Sequence, residues 1–245
     1  MLVLEYDGTR YHGSQYQTNA LTIQGEMEDA VNKLTGEESR VSMASRTDAG
    51  VHAKGQVASL KTTMALSPET WVKALNFFLA KDISASVSYK ADVGFDVRRD
   101  AICREYRYCI MNRRTPSALW RNFCEFVHFP LDIDVMNEAC ECLVGEHDFA
   151  PFSSVSDDRP TVRRVSSAQV TRKGDLVMFN MSANSFLPHQ VRNTVGGLIK
   201  VGLGKLKGET FCEMASSGRA GMIGPAAPAR GLCLMVVRYS DFPPA

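Results

Sequence analysis

The sequence predicts a fold that combines β-strands with amphipathic helices, and three stretches carry this prediction. Residues 102–110 alternate with period two, which is typical of a strand. Residues 162–171 and 176–183 alternate in the same way around a short turn containing glycine, which indicates a β-hairpin. Residues 23–34 place apolar side chains at helical spacing. We therefore expect both kinds of element along the whole chain.

The other elements follow from local start and stop signals. The first helix is expected between Thr22, a typical N-cap, and Gly36, which is placed to end it. Ser67-Pro68-Glu69 predicts a second helix, because it supplies a cap, a proline for the first turn and an acid that the helix dipole favours. Further helices are expected after Asp132 or Asp134, from Pro188 and over 208–217, and strands over 2–6, 41–45, 56–60, 83–89 and 232–239.

Composition limits the classes of protein to consider. The 245 residues suffice for one large domain or two small ones, and a connection at 92–100 is the candidate boundary between two halves. We find no signal-peptide layout at the N terminus and no apolar run of the roughly 20 residues that span a bilayer. The seven cysteines are scattered without a C-x-x-C pair, so free thiols in a reducing cytoplasm are expected.

The positive charge is concentrated near the middle of the chain. The net charge is only +1, so bulk charge names no partner. Residues 98–121, however, contain seven arginines against two acids. Such a cluster could hold phosphates, although a solvated basic face without a partner is the alternative.

The stretch from Ser45 to Ala53 is the first candidate for chemistry. It places Arg46, Asp48 and His52 close together among small residues, as suits a loop that lets something bulky approach. Gly50 would permit a backbone conformation closed to other residues. By itself the stretch is more typical of an ordinary surface turn.

Two further stretches place polar groups beside a predicted core. In the strand 102–110, alternation puts Ile102, Arg104, Tyr106, Tyr108 and Ile110 on one face, which suggests a face that borders a cleft as well as a core. A structural tyrosine pair is the alternative.

The helix from Pro188 carries Arg192 at the edge of its apolar face, where an arginine needs a carboxylate or phosphate partner. Its glycines would weaken an isolated helix and therefore indicate close packing against another element: Gly196, Gly197 and Gly202.

Four motifs, in this order, resemble the tRNA pseudouridine synthase A family over nearly the whole chain. The most specific is Ser45 to His52, which matches the family's Gly/Ser-Arg-Thr-Asp-Ala-Gly-Val-His. The other three are Arg104-Glu105-Tyr106-Arg107-Tyr108, Gly145-Glu146-His147-Asp148-Phe149 and Phe186-Leu187-Pro188-His189-Gln190-Val191-Arg192-Asn193.

The resemblance implies an enzyme that isomerises uridine to pseudouridine in the anticodon stem-loop of tRNA, without cofactor or metal. Asp48 matches the catalytic aspartate, Tyr106 the active-site tyrosine and Arg192 the arginine that pairs with the aspartate. Arg46 matches the arginine associated with the space left by the flipped nucleotide. Two more substrate-binding candidates come from the basic stretch: Arg98 and Arg104.

The implied fold is α+β, with two similar halves whose antiparallel or mixed sheets join about a central cleft and whose helices lie on the outer face. The N-terminal half, 1–95, would carry the aspartate loop, and the C-terminal half, 96–245, the tyrosine strand and the arginine helix. The resemblance also implies a homodimer that binds tRNA in the cytoplasm, without a membrane.

The chain departs from the family pattern at two places. The usual Gly-Trp-Gln is Gly13-Ser14-Gln15, and the usual Phe-His-Ala-Arg is Phe95-Asp96-Val97-Arg98. Both changes suggest altered RNA contacts. Two rival functions stay open: a non-catalytic RNA-binding protein, and a metal-dependent hydrolase that uses Asp48, His52 and Asp96.

Overall fold

The α+β class is confirmed by the computed structural model, which describes residues 1–153 and 160–240. Its helices are α1 (Ile23–Thr35), α2 (Pro68–Phe78), α3 (Ile133–Glu141), α4 (Gln190–Gly202) and α5 (Gly208–Ala215). Its strands are β1 (Leu2–Tyr6), β2 (Ser42–Met43), β3 (His52–Ser59), β4 (Ile83–Ser88), β5 (Ala101–Asn112), β6 (Glu125–Val127), β7 (Gly145–Asp148), β8 (Val162–Lys173), β9 (Leu176–Ala183) and β10 (Leu232–Tyr239).

The chain forms two compact units. The first contains Met1–Arg104 and the chain from Cys233 onward, and the second contains Glu105–Leu232. The last strand therefore belongs almost entirely to the unit that begins the chain. The 1–95 half predicted from the sequence lies within the first unit.

The first unit is built on strands in the order β4-β1-β3-β10, with β2 at the side of β3. β1 runs antiparallel to both β3 and β4, whereas β10 runs parallel to β3 with Cys233 opposite His52. α1 buries Ile23 and Met27 on its apolar face. This arrangement puts the start of β3, where the candidate aspartate loop ends, inside the sheet instead of at its edge.

The second unit is built on strands in the order β5-β9-β8-β7, with β6 parallel to β5. β7, β8 and β9 form an antiparallel series, and the hairpin predicted around Gly174 is confirmed as β8 and β9. β6 and β7 were not predicted, because both are short and lack a clear alternation.

Local signals positioned several elements correctly. Thr22 caps α1 by accepting a hydrogen bond from the Gly25 amide, and Gly36 ends the helix in the left-handed conformation. Along β5, the predicted inward face is confirmed from Arg104 to Ile110, whose alternate side chains are buried. The prediction was wrong for Ile102, which is 56% exposed, because the alternation of buried side chains begins only at Arg104.

The expectation that every thiol is free was wrong. Cys142, at the end of α3, forms a disulfide with Cys212 of α5, with their Cα atoms 5.9 Å apart. The two cysteines are 70 residues apart in sequence, and the packing of the two helices brings them together. Sequence spacing could not reveal the pair.

Across the described ranges, no helix is both long and apolar enough to span a membrane.

The close packing expected at the α4 glycines is confirmed. A Cβ at Gly196 would lie 2.1 Å from the carbonyl oxygen of Pro225, so the main chain of the 222–228 segment would have to move. We expect Gly196→Ala to destabilise the protein by about 1–3 kcal/mol, the usual cost of overpacking. Chemical denaturation would measure this, with Gly94→Ala as the control, because a Cβ there meets nothing within 4 Å. Equal unfolding midpoints for the two variants would contradict the prediction.

Candidate active site

Asp48 lies on the loop between β2 and β3. A buried glutamine holds the start of this loop. Gln56 of β3 is fully buried, and its side chain forms hydrogen bonds with the main-chain amide and carbonyl of Ser45. The Ser45 amide donates to Gln56 Oε1 at 3.1 Å, and Gln56 Nε2 donates to the Ser45 carbonyl at 2.7 Å. The main-chain donor and the main-chain acceptor of Ser45 are thus both bonded to Gln56.

Thr47 is held in a similar way from the N-terminal segment. Its amide donates to Ser14 Oγ at 2.8 Å, and its carbonyl accepts from the Ser14 amide at 3.0 Å. Its hydroxyl lies 2.9 Å from the Tyr6 hydroxyl, which also accepts from Gln56 Nε2 at 3.3 Å. Ser14, a departure from the family pattern, therefore supports the aspartate loop through its small hydroxyl.

The clamped residues alternate with the candidate functional ones. Arg46 is exposed and Asp48 is half-buried, whereas Thr47 between them is buried. After Asp48 the chain turns, with the Val51 amide donating to the Asp48 carbonyl at 3.1 Å. Gly50 adopts a φ of 78°, the left-handed conformation that its small size permits. The residues on either side of Asp48 are therefore held in place by hydrogen bonds, unlike those of a loose surface loop.

The segment from Asp7 to Ser14 lies directly against this turn. A Cβ at Gly8 would come within 2.0 Å of the Val51 carbonyl oxygen, so only glycine allows this approach. His52 is buried, and its Nδ1 accepts from the Gly8 amide at 3.0 Å. The same Nδ1 lies 3.2 Å from Asp7 Oδ1, but a nitrogen that accepts the permanent amide proton cannot also donate to a carboxylate. His52 therefore serves as scaffold.

Arg104 supports the main chain just before the loop. Its buried guanidinium donates to the carbonyls of Ala101 at 2.8 Å, Arg98 at 2.5 Å and Ala44 at 3.4 Å. Ala44 immediately precedes the clamped Ser45. The geometry gives Arg104 a role in holding the main chain, which sequence reasoning did not foresee.

Arg98, by contrast, has an exposed side chain on a turn held by Asp96. The Asp96 carboxylate accepts from the Arg98 and Arg99 amides, at 2.9 and 3.0 Å, and from Arg99 Nε. These bonds, led by those from the backbone amides, lower the pKa of Asp96. The second family departure thus caps a turn that presents Arg98.

The metal-hydrolase hypothesis receives no support from these contacts. His52 and Asp96, two of its three proposed ligands, are hydrogen-bonded to the backbone around them. Among the described residues, no three acidic, histidine or cysteine side chains are grouped so that they could hold a metal ion.

The second unit positions Tyr106 and Arg192. Tyr106 of β5 is 5% exposed and makes an edge-to-face contact with Phe186, with ring centroids 5.2 Å apart. Arg192 lies in the first turn of α4 and is tied to Ala227 twice. Its Nε donates to the Ala227 carbonyl at 2.8 Å, and its own carbonyl accepts from the Ala227 amide at 2.9 Å. Ala227 thereby fixes the orientation of the guanidinium.

Tyr108, the second tyrosine of the predicted face, is structural. Its hydroxyl donates to the Pro228 carbonyl at 2.8 Å, and burial raises its pKa. A Cβ at Gly231 would lie 2.5 Å from the Tyr108 ring, so this glycine makes room for it. Tyr108 thus anchors the chain next to Ala227.

Sequence reasoning missed the residues that hold the loop, Gln56 and Ser14, and also the residue of the second unit that holds Arg192, which is Ala227. Gln56 left one signal, because it is a polar residue at the start of an apolar strand segment. Ser14 was marked only as a departure from the family pattern, and Ala227 left no signal, since small residues occur in any loop.

Substituting Gln56 tests the clamp. We expect Gln56→Leu to leave the Ser45 amide and carbonyl without their buried partner, at a cost of about 1–3 kcal/mol for each unsatisfied group. The catalytic rate should fall at least about 10-fold, because the loop loses its fixed geometry. Activity and thermal unfolding should be compared with Gln169→Leu, at an exposed position on β8. Activity in Gln56→Leu equal to that of this control would contradict the clamp.

Known proteins are similar to this chain over nearly its whole length. The sequence model of the family described as tRNA pseudouridine synthase matches residues 2–100 and 139–240. A protein of Roseiflexus castenholzii (strain DSM 13941 / HLO8), named tRNA pseudouridine synthase A, is 43% identical over 98% of this chain and 90% of its own length. A protein of the same name from Thermoanaerobacter sp. (strain X514) is 40% identical over 98% of this chain and 98% of its own length. Another, from Myxococcus xanthus, is 39% identical over 100% of this chain and 93% of its own length.

A chain of a solved Cbf5-Nop10-Gar1 complex also matches, over 82% of this chain and 45% of the solved chain. The TM-score is 0.36 and the sequence identity 14%, a similarity too low to support an argument. The sequence relatives suffice, because they are about 40% identical over nearly their full length. The chain belongs to the tRNA pseudouridine synthase family, a family of isomerases.

Proposed function

We propose that the chain converts uridine to pseudouridine at positions 38, 39 and 40, in the anticodon stem-loop of tRNA, and that Asp48 is its reactive group. The observation that carries the proposal is the double clamp around Asp48. Ser45 and Thr47 are each held through both main-chain groups, and Gly50 closes the turn beyond. A carboxylate held in this way is pre-organised for chemistry.

The reaction requires three changes in the nucleotide. The bond between ribose C1′ and uracil N1 breaks, the uracil turns and its C5 joins C1′, and a proton is then lost from C5 and one is gained at N1. An ionised Asp48 can attack the sugar or the base as a nucleophile, or can begin glycosidic cleavage by removing a proton. Each route needs the same group: a carboxylate in a fixed position.

Arg192 is the proposed partner of Asp48. A guanidinium next to a carboxylate keeps it ionised and oriented. The two bonds to Ala227 support this role, since they hold Arg192 in one orientation. Tyr106 is proposed to take part in the transfer of the C5 proton, directly or through water.

Two exposed arginines are proposed to contact the RNA. Removing a base from its stack costs a few kcal/mol, which contacts to the RNA must offset. Arg46 projects from the clamped loop next to Asp48, and we assign it to the space that the flipped nucleotide leaves. Arg98 is exposed on its capped turn and is proposed to bind phosphate. We place this reaction in the cytoplasm.

We further propose a homodimer, so that one tRNA can touch both subunits. The second unit supports this proposal with a run of exposed apolar side chains, of which Leu119 is 88% and Phe129 63% exposed; the others are Trp120 and Phe123. Exposed apolar clusters of this kind commonly mark protein interfaces. Light scattering in solution should give twice the chain mass of 27.0 kDa, and a monomer at micromolar concentration would contradict the proposal.

Mapping the product tests the proposed function. An unmodified tRNA transcript with uridines at 38–40 is incubated with the protein in excess chelator, and pseudouridine is located by chemical labelling and primer extension. We expect pseudouridine within 38–40 at the same yield with and without chelator. Pseudouridine elsewhere would overturn the assigned position, and loss of activity in chelator would overturn metal independence. Tight binding without any pseudouridine would favour the rival, a non-catalytic RNA-binding protein.

A further inference from the structure

Two cysteines of the second unit lie side by side on neighbouring strands. β6 pairs with β5 in parallel, with Ile110 opposite Glu125 and Met111 opposite Phe126. Extending this register back by one residue places Cys109 opposite Cys124. Side chains of a strand alternate between faces, so the Cys109 thiol projects on the face of β5 opposite to that of Ile110. Cys124 lies one residue before β6 and next to Cys109.

The two neighbouring thiols are unequal in exposure and in pKa. Cys124 is buried and Cys109 is half-buried. The hydrogen bond from Cys124 lowers the pKa of Cys109 and raises that of Cys124. Burial opposes the first effect, and the positive charge of Arg107 adds to it.

Arg107 is well placed for this effect. It lies two residues before Cys109 and therefore on the same face of β5. Its Nε donates to Asn180 Oδ1 at 2.8 Å, which holds the guanidinium beside the strand. A half-buried thiol next to a cation, with a buried thiol beside it, suits an attacking and a resolving cysteine.

We propose that Cys109 and Cys124 form a redox-active dithiol that is oxidised to an intramolecular disulfide by low-molecular-weight disulfides such as oxidised glutathione. The Cys109 thiolate attacks one sulfur of the small disulfide, which forms a mixed disulfide and releases one small thiol. The Cys124 thiol then gives up its proton and attacks the Cys109 sulfur, which releases the second small thiol. The protein loses two electrons and two protons, and the small disulfide becomes two thiols.

The disulfide would fasten the segment between the two cysteines to β5. This segment contains three arginines of the basic stretch, Arg113, Arg114 and Arg121, and the exposed Leu119 and Trp120. The dithiol is independent of the proposed role of Asp48, because all of its groups belong to the second unit.

Peptide mapping of the native full-length protein tests the proposal. The protein is reduced, freed of reductant and exposed to oxidised glutathione, and its peptides are sequenced by mass spectrometry without reduction. We expect a Cys109–Cys124 cross-link that dithiothreitol reverses. Cys124→Ser should accumulate glutathione on Cys109, and Cys109→Ser should leave Cys124 unmodified. Cys140 is the internal control, since it is buried and burial raises its pKa to about 12.

Three results would overturn the proposal: no cross-link under conditions in which Cys142 and Cys212 reoxidise, a mixed disulfide on Cys124 in Cys109→Ser, or modification of Cys109 no faster than that of Cys140. Circular dichroism before and after oxidation shows whether the fold is retained. A cross-link that forms only as the protein unfolds would also contradict the proposal.

Discussion

Replacing Arg192 with alanine is expected to slow pseudouridine formation by about 100-fold or more, while the Kd for tRNA changes by less than about threefold. The substitution removes the proposed partner of the Asp48 carboxylate, and a carboxylate without its cation is less firmly ionised and less well oriented. Single-turnover rates with excess enzyme measure the chemical step, and filter binding measures the affinity.

Arg192→Lys should rescue little of this loss. A lysine keeps the charge, but it lacks the Nε donor that is bonded to the Ala227 carbonyl at 2.8 Å. The control is Arg164→Ala, which removes an exposed arginine paired with Glu146 on β8 and β7. If Arg192→Ala reduced rate and affinity by the same factor, Arg192 would be a phosphate contact and not the partner of Asp48.

Much of the fold followed from the sequence because local signals determine it. The ends of α1 are set by the Thr22 cap and by Gly36, both visible in the sequence. The final strand, Leu232–Tyr239, has the bounds that its apolar run predicted. The β8–β9 hairpin follows in the same way from alternation around Gly174.

Features that depend on distant parts of the chain were beyond such reasoning. The disulfide joins Cys142 to Cys212 through the packing of two helices. The loop clamps join Gln56 and Ser14 to residues that are 11 and 33 positions away. The sequence alone made Asp48 a candidate, but its proposed reactive role rests on the family resemblance, because its neighbours are typical of any turn. Its support became visible only when β1, β3 and the N-terminal segment were brought together.

Replacing Asp48 with asparagine is expected to reduce the rate of pseudouridine formation by at least about 1,000-fold. Asparagine has nearly the same shape, and the turn is closed by the Asp48 carbonyl and the Val51 amide, which the substitution leaves in place. The loop should therefore keep its geometry, and tRNA affinity should stay near the wild-type value. Only the ionised carboxylate is lost, and with it the nucleophile or base.

Asp29→Asn is the matched control, because it makes the same chemical change at an exposed position on α1. It should retain wild-type activity. Thermal unfolding should give similar midpoints for both variants and the wild type.

Release of tritium from C5 tests the central role of Asp48 most directly, since pseudouridine formation requires loss of the C5 proton. A tRNA transcript labelled with tritium at C5 of uridine is mixed with an excess of each protein. The wild type and Asp29→Asn should release the label from the modified uridines to water in a single turnover. Asp48→Asn should bind the same RNA and release none above background. Release by Asp48→Asn at the wild-type rate would show that the chemistry belongs to another residue.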